Sequence, residues 1–99
     1  MDVSIVGDSS ANLPAAVEVA AYRIAIEALT NAARHSGADA ASVTLDILDG
    51  ALHVAVRDSA TIRGTWAPGV GLTSMAERAQ ELGGTLSVHE GEVRAVLPL

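Results

Sequence analysis

Asp49-Gly50 stands between two runs of alternating residues, Ala41 to Leu48 and Ala51 to Arg57, and it is the dipeptide most typical of a two-residue hairpin turn. The two runs are therefore expected to be antiparallel neighbours, which rules out an all-parallel, doubly wound sheet. The remaining elements have to fit round that constraint. Met1 to Gly7 reads as a short strand, with Asp2-Val3-Ser4-Ile5-Val6 alternating at period two before a glycine. After Ser9, Ser10, Asn12 and Pro14, the stretch from Leu13 to about Ser36 is alanine-rich, free of glycine and closed by Gly37, which predicts a long helix. Its apolar positions include Val17, Tyr22, Ile26, Leu29 and Ala33; the last four are spaced 4, 3 and 4, so they fall on one side.

Asp58 to Gly71 has little periodicity and several glycines, which reads as a loop. A second helix is expected from Leu72 to Leu82, with Leu72, Met75, Ala79 and Leu82 on one face and Gly83-Gly84 as its stop. Two last strands, Thr85 to Val88 and Val93 to Leu97, flank His89-Glu90-Gly91-Glu92. The order of strand, helix, paired strands, loop, helix, paired strands predicts an α+β fold. It is a two-layer α/β sandwich with a mixed, mostly antiparallel sheet and both helices on one face. The 99 residues make one domain, 1–99, with no internal boundary or repeat.

Half of the chain, 49%, is hydrophobic, but Trp66 and Tyr22 are the only aromatic residues, so alanine, valine and leucine must do the packing. No apolar run approaches the roughly 18 residues that span a bilayer, and a soluble domain is expected. The absence of cysteine excludes disulfides and thiolate metal sites. A net charge of -6 disfavours nonspecific attraction to nucleic acid or anionic lipid, so an anionic ligand would need local attraction.

Three groups of residues carry chemistry. Glu27, Asn31 and Arg34 share one side of the long helix, and so offer a carboxylate, an amide and a guanidinium to a single ligand. An amide oxygen suits Mg²⁺, which takes its other ligands from water and phosphates, and a guanidinium forks onto phosphate oxygens. The same spacing also describes a solvated helix face. Gly69-Val70-Gly71 leads into the second helix, where glycines and free N–H groups can receive phosphate, or where the loop simply needs flexible residues. Asp58 ends a strand, where a carboxylate can accept a hydrogen bond from an exocyclic amine such as that of adenine, or merely open a turn. His35, His53 and His89 lack metal-ligand spacing, and no Walker loop or nucleophile elbow is present.

Together and in this order, Arg23-Ile-Ala-Ile-Glu27-Ala-Leu-Thr-Asn31-Ala-Ala-Arg34-His35-Ser36 and Gly69-Val-Gly71-Leu-Thr-Ser-Met-Ala-Glu-Arg-Ala79 resemble the N and G2 boxes of histidine kinase catalytic domains. The resemblance covers residues 11 to 97 and is to the sensor kinases paired with helix-turn-helix response regulators. It implies the Bergerat ATP-binding fold of the gyrase-like superfamily, with ATP between the helical layer and a flexible lid. It further implies that Asn31 ligates Mg²⁺, that Glu27 activates the phosphoryl acceptor, and that Arg34 contacts phosphate while His35 lines the pocket. Asp58 would read the adenine amine, Gly69 and Gly71 would serve the hinge and phosphate contacts of the lid, and Thr85 would support the adenine site through water. ATP and Mg²⁺ are the implied cofactors. The implied partners are a phosphoacceptor histidine domain of the parent kinase and a cognate response regulator, in the cytoplasm of a parent that is either soluble or membrane-anchored.

Two departures qualify that picture. The family continues its aspartate as Asp-x-Gly-x-Gly, whereas this chain has Asp58-Ser59-Ala60-Thr61-Ile62, which removes easy access to positive φ beside the purine. None of the three histidines has the phosphoacceptor setting, a histidine followed by an acidic residue on a dimerisation helix. The chain alone is therefore expected to bind nucleotide without autophosphorylating. A degenerate regulatory module and an anti-sigma-type serine kinase on the same fold are the alternatives; a machine that hydrolyses ATP would need a catalytic lysine, and this chain has none.

Overall fold

The computed structural model describes residues 2–7, 13–33, 39–58, 72–89 and 92–99. The elements follow the expected order: β1 (Asp2–Gly7), α1 (Ala15–Asn31), β2 (Ala40–Leu48), β3 (Ala51–Asp58), α2 (Leu72–Glu81), β4 (Thr85–His89) and β5 (Glu92–Pro98). The five strands form one sheet in the order β1-β2-β3-β5-β4, parallel between β1 and β2 and antiparallel elsewhere. The β2–β3 hairpin turns on Asp49 (φ 52°) and Gly50 (φ 73°). Both central residues are left-handed, as a primed two-residue turn matching strand twist requires.

The inner face of the sheet carries Val43 of β2, Leu52, Val54 and Val56 of β3, and Val93, Ala95 and Leu97 of β5, all buried. Their alternation with outward residues follows from the period of two in a strand. Both helices pack on this face, where Met75 and Ala79 of α2 are fully buried and Leu82 joins them in part. Among the described residues the core is aliphatic apart from the Met75 thioether.

The buried side of α1 differs from the one its large apolar residues suggest. Val17, Ala20, Ala21, Ile24, Ala28 and Asn31 are buried, whereas Tyr22 and Ile26 are 68% and 46% exposed, Leu29 is only partly buried, and Ala33 is exposed. The physical reason lies in the alanines. A helix so rich in alanine has apolar residues all round, and the sheet takes the side whose small side chains allow close approach with Ile24 as the single large knob. Close packing decides between sides of similar hydrophobicity.

The chain leaves α2 through two glycines with separate jobs. Gly84 N–H donates to the Ala79 carbonyl at 2.8 Å and Gly83 N–H to the Gln80 carbonyl at 2.9 Å, with Gly83 at φ 78°. This is a Schellman ending, in which a left-handed residue closes the helix and satisfies its last carbonyls. At Gly84 the need is space, because a Cβ there would collide with the Val96 carbonyl oxygen of β5.

Candidate functional site

The topology fixes which ends of the elements meet. Since β1 and β2 are parallel neighbours, α1 must run back across the sheet between them. Its C-terminus therefore lies at the end of the sheet where β2 begins. That is also the end where β3 finishes, since Ala41 is paired with Asp58. The same end receives the N-terminus of α2: Thr85, which starts β4 soon after α2 closes, lies at the other end, level with Val96 and His53.

Two polar residues occupy this end. Asn31, in the last turn of α1, and Asp58, the last residue of β3, are 7% and 6% exposed, and they are the buried polar or charged residues among those described. Asp58 is on the helix side of the sheet, in line with Val54 and Val56, and its Oδ2 is buried. A buried amide and a buried carboxylate are expensive to desolvate, so their placement at one end of an otherwise aliphatic core marks that end. Glu27, one turn before Asn31 on α1, is half-buried and faces a groove with Arg23, Tyr22, Ile26 and the α2 residue Arg78. Sequence reasoning passed over Arg23 and Arg78. The first could have been found from the four-residue spacing Arg23, Glu27, Asn31; the second comes from α2 and no spacing reveals it.

Thr85 does not join this group. Its pairing with Val96, itself opposite His53, puts it five residues along β3 from the level of Asp58, about 17 Å at the rise of a strand. The odd offset turns it to the outer face, where it is exposed. The structure sets this residue apart from Asn31 and Asp58: alternation turns it to the outer face and the register carries it toward the other end of the sheet. Arg34, His35, Gly69 and Gly71, together with Trp66 and the altered turn after Asp58, lie outside the described residues.

The outer face of the sheet is polar. Glu92 Oε1 accepts from Arg57 Nε at 3.2 Å and from Arg94 at 3.3 Å; with Arg57 68% exposed, water screens the first of these contacts. Among the described residues no group of three or more histidine, cysteine or acidic side chains could hold a metal, so a cation at Asn31 would need most of its ligands from elsewhere. No helix among the described residues is long and apolar enough to cross a membrane.

No family model matches the chain, but individual proteins do. It is similar to the Erythrobacter litoralis EL346 blue-light activated histidine kinase, with a TM-score of 0.75 at 23% identity over 99% of this chain and 37% of that one. It is also similar to the ATP binding domain of PrrB from Mycobacterium tuberculosis, with a TM-score of 0.61 at 26% identity over 100% of this chain and 79% of that one. The architecture is that of the ATP-binding catalytic domains of histidine kinases. Sequence carries the assignment further: the chain is 38% identical over 81 residues, 82% of its length, to the sensor histidine kinase YxjM of Bacillus subtilis strain 168. It is thus homologous to one segment of sensor histidine kinases, and it spans about one fifth of the length of the curated relatives it matches.

Proposed function

We propose that this chain is the nucleotide-binding domain of a longer sensor histidine kinase, holding Mg-ATP at the end of the sheet that carries Asn31 and Asp58 and presenting the γ-phosphoryl to a histidine on another domain. The observation that carries this reading is the pair of buried polar residues at one end of an aliphatic core, in a fold shared with histidine kinase ATP-binding domains. The Asp58 carboxylate accepts a hydrogen bond from the adenine amine and so selects the base. The Asn31 amide oxygen is the ligand this chain offers to Mg²⁺, which neutralises phosphate charge when bound. Glu27 takes or orients the imidazole proton of the acceptor while the bond to the β,γ-bridging oxygen breaks and the N–P bond forms. Most of the acceleration in such a reaction comes from alignment and electrostatics.

The roles of Arg34 and His35 at the phosphates and pocket wall, and of Gly69 and Gly71 at the start of α2, rest on the sequence motifs. The phosphoryl group then passes to a response regulator, as two-component signalling requires. Calorimetric titration with Mg-ATP and Mg-GTP tests the reading. Preference for ATP, abolished by Asp58→Ala, with an Asn31→Ala variant that loses the Mg²⁺-dependent part of the affinity, is the expected result. Equal binding by wild type and both variants overturns it.

A further inference from the structure

β1 lies at one side of the sheet and pairs with β2 alone; among the described residues no strand bonds its outer edge. An edge strand offers a row of free backbone N–H and C=O groups, which proteins commonly blunt with a charge, a proline, a bulge or a covering element. Such devices are missing from β1 among the described residues. Its register with β2 runs unbroken from Asp2 to Gly7, and Val3-Ser4-Ile5-Val6 contains neither a charge nor a proline. The helices give little cover, since they pack chiefly over β3, β4 and β5. The edge is also apolar on both faces. Val3 and Ile5, on the helix side level with Ala41 and Val43, are 44% and 69% exposed, and Val6, on the outer side level with Thr44, is 63% exposed. A helix laid on one face would leave the other apolar side in water, whereas a strand added at the edge flanks both.

We propose that the occupant is β1 of a second copy, paired antiparallel about Ser4, so that two five-stranded sheets join into one. The strand is complementary to itself in that register. Ser4 meets its own counterpart, and Val3 of each copy meets Ile5 of the other, which makes two aliphatic cross-strand pairs on the helix side. The antiparallel seam sets the two acidic Asp2 positions at opposite ends, where a parallel seam would bring like charges together. Pairing β1 of one copy with β4 of the next would be head-to-tail and would continue into an open chain, whereas β1 with β1 is isologous and stops at two. The seam leaves the candidate site free. β1 and β2 both begin at the end of the sheet that carries Asn31 and Asp58, and the partner's strand runs the other way, so the two sites lie at opposite ends of the joint sheet. The proposal does not depend on the functional reading. With six residues a side the seam is small, and the dimer is expected to be weak and reversible.

Sedimentation velocity of this chain between about 10 µM and about 1 mM is expected to show a shift from monomer to dimer, with no larger species. Ile5→Lys, at an exposed position, is expected to weaken the dimer about tenfold or more, because a charge on an edge opposes pairing. Ile47→Lys, on β2 beyond the last residue paired with β1, is expected to leave it within about twofold. Crosslinking reads the register, since the chain has no cysteine of its own. Ser4→Cys faces its counterpart across the seam at about 4.5–5.5 Å between Cα atoms, within disulfide reach, and is expected to give a linked dimer under an added oxidant. Ser42→Cys, level with Ser4 but one strand further in, lies about 14 Å from its counterpart and is expected not to link. A monomer throughout the concentration range, species larger than a dimer, equal effects of Ile5→Lys and Ile47→Lys, or linkage of Ser4→Cys no faster than that of Ser42→Cys overturns the proposal. Circular dichroism checks that each variant is folded, and the wild-type sedimentation decides the case even where a variant is not.

Discussion

Replacing Ile24 with alanine removes three carbon atoms from a fully buried side chain, and replacing Ile26 removes the same three from one that is 46% exposed. The pair therefore measures which side of α1 faces the sheet. At about 0.8 kcal/mol per buried carbon, Ile24→Ala forfeits about 2.4 kcal/mol of transfer energy. The hole between α1 and the sheet adds a cavity term, for a total of about 3 kcal/mol, within the usual range for such truncations. At Ile26 about half of the transfer energy is at stake and no cavity opens; the better helix propensity of alanine returns about 0.4 kcal/mol, leaving a loss below about 1 kcal/mol. Urea denaturation followed by circular dichroism reads both, and thermal melting should separate the variants by roughly 10 °C or more in a domain of this size. Equal losses, or a larger loss at Ile26, would refute the orientation of α1 and return the helix to the side its large residues suggest.

Three further substitutions test the end of α2 and the start of β4. Gly83→Ala, at φ 78° with open space round a Cβ, is expected to cost about 1–2 kcal/mol for the left-handed backbone alone. Gly84→Ala, which meets the Val96 carbonyl, is expected to cost more, about 2–3 kcal/mol; a reversed order in the same urea titration removes the distinction drawn between the two glycines. Thr85→Ala is expected to leave Mg-ATP affinity within about twofold of wild type, and a loss of tenfold would show that this residue reaches the nucleotide despite its place on the outer face.

The elements were legible because their signals are local. Asp49-Gly50 fixes a hairpin through backbone conformations that few dipeptides adopt, and Gly83-Gly84 fixes a helix end in the same way. The strands announce themselves by alternation, and each observed boundary falls within a residue or so of the expected one for β2, β3, α2, β4 and β5. Facing was harder. In α1 the side buried against the sheet depends on how closely two surfaces can approach, a property of the pair of surfaces that the helix sequence alone does not contain. Thr85 shows the same limit in a strand: its face follows from a register set by Val96 and His53, residues far from it in sequence.

The buried residues nonetheless show how the candidate site could be found without any motif. The inward series of α1 runs Val17, Ala20, Ala21, Ile24, Ala28, and its next member is Asn31; the inward series of β3 runs Leu52, Val54, Val56, and its next member is Asp58. The helix series is apolar until Asn31, just before the buried Ala32, and the strand series until Asp58, and the crossover from β1 to β2 brings both polar residues to one end of the sheet. A polar group buried where the pattern calls for an apolar one opposes stability, and natural sequences carry such violations chiefly at functional sites. One violation could be an accident of packing. Two, contributed by a helix and a strand and brought together only by the fold, give a reason for Asn31 and Asp58 to be polar that core packing does not supply.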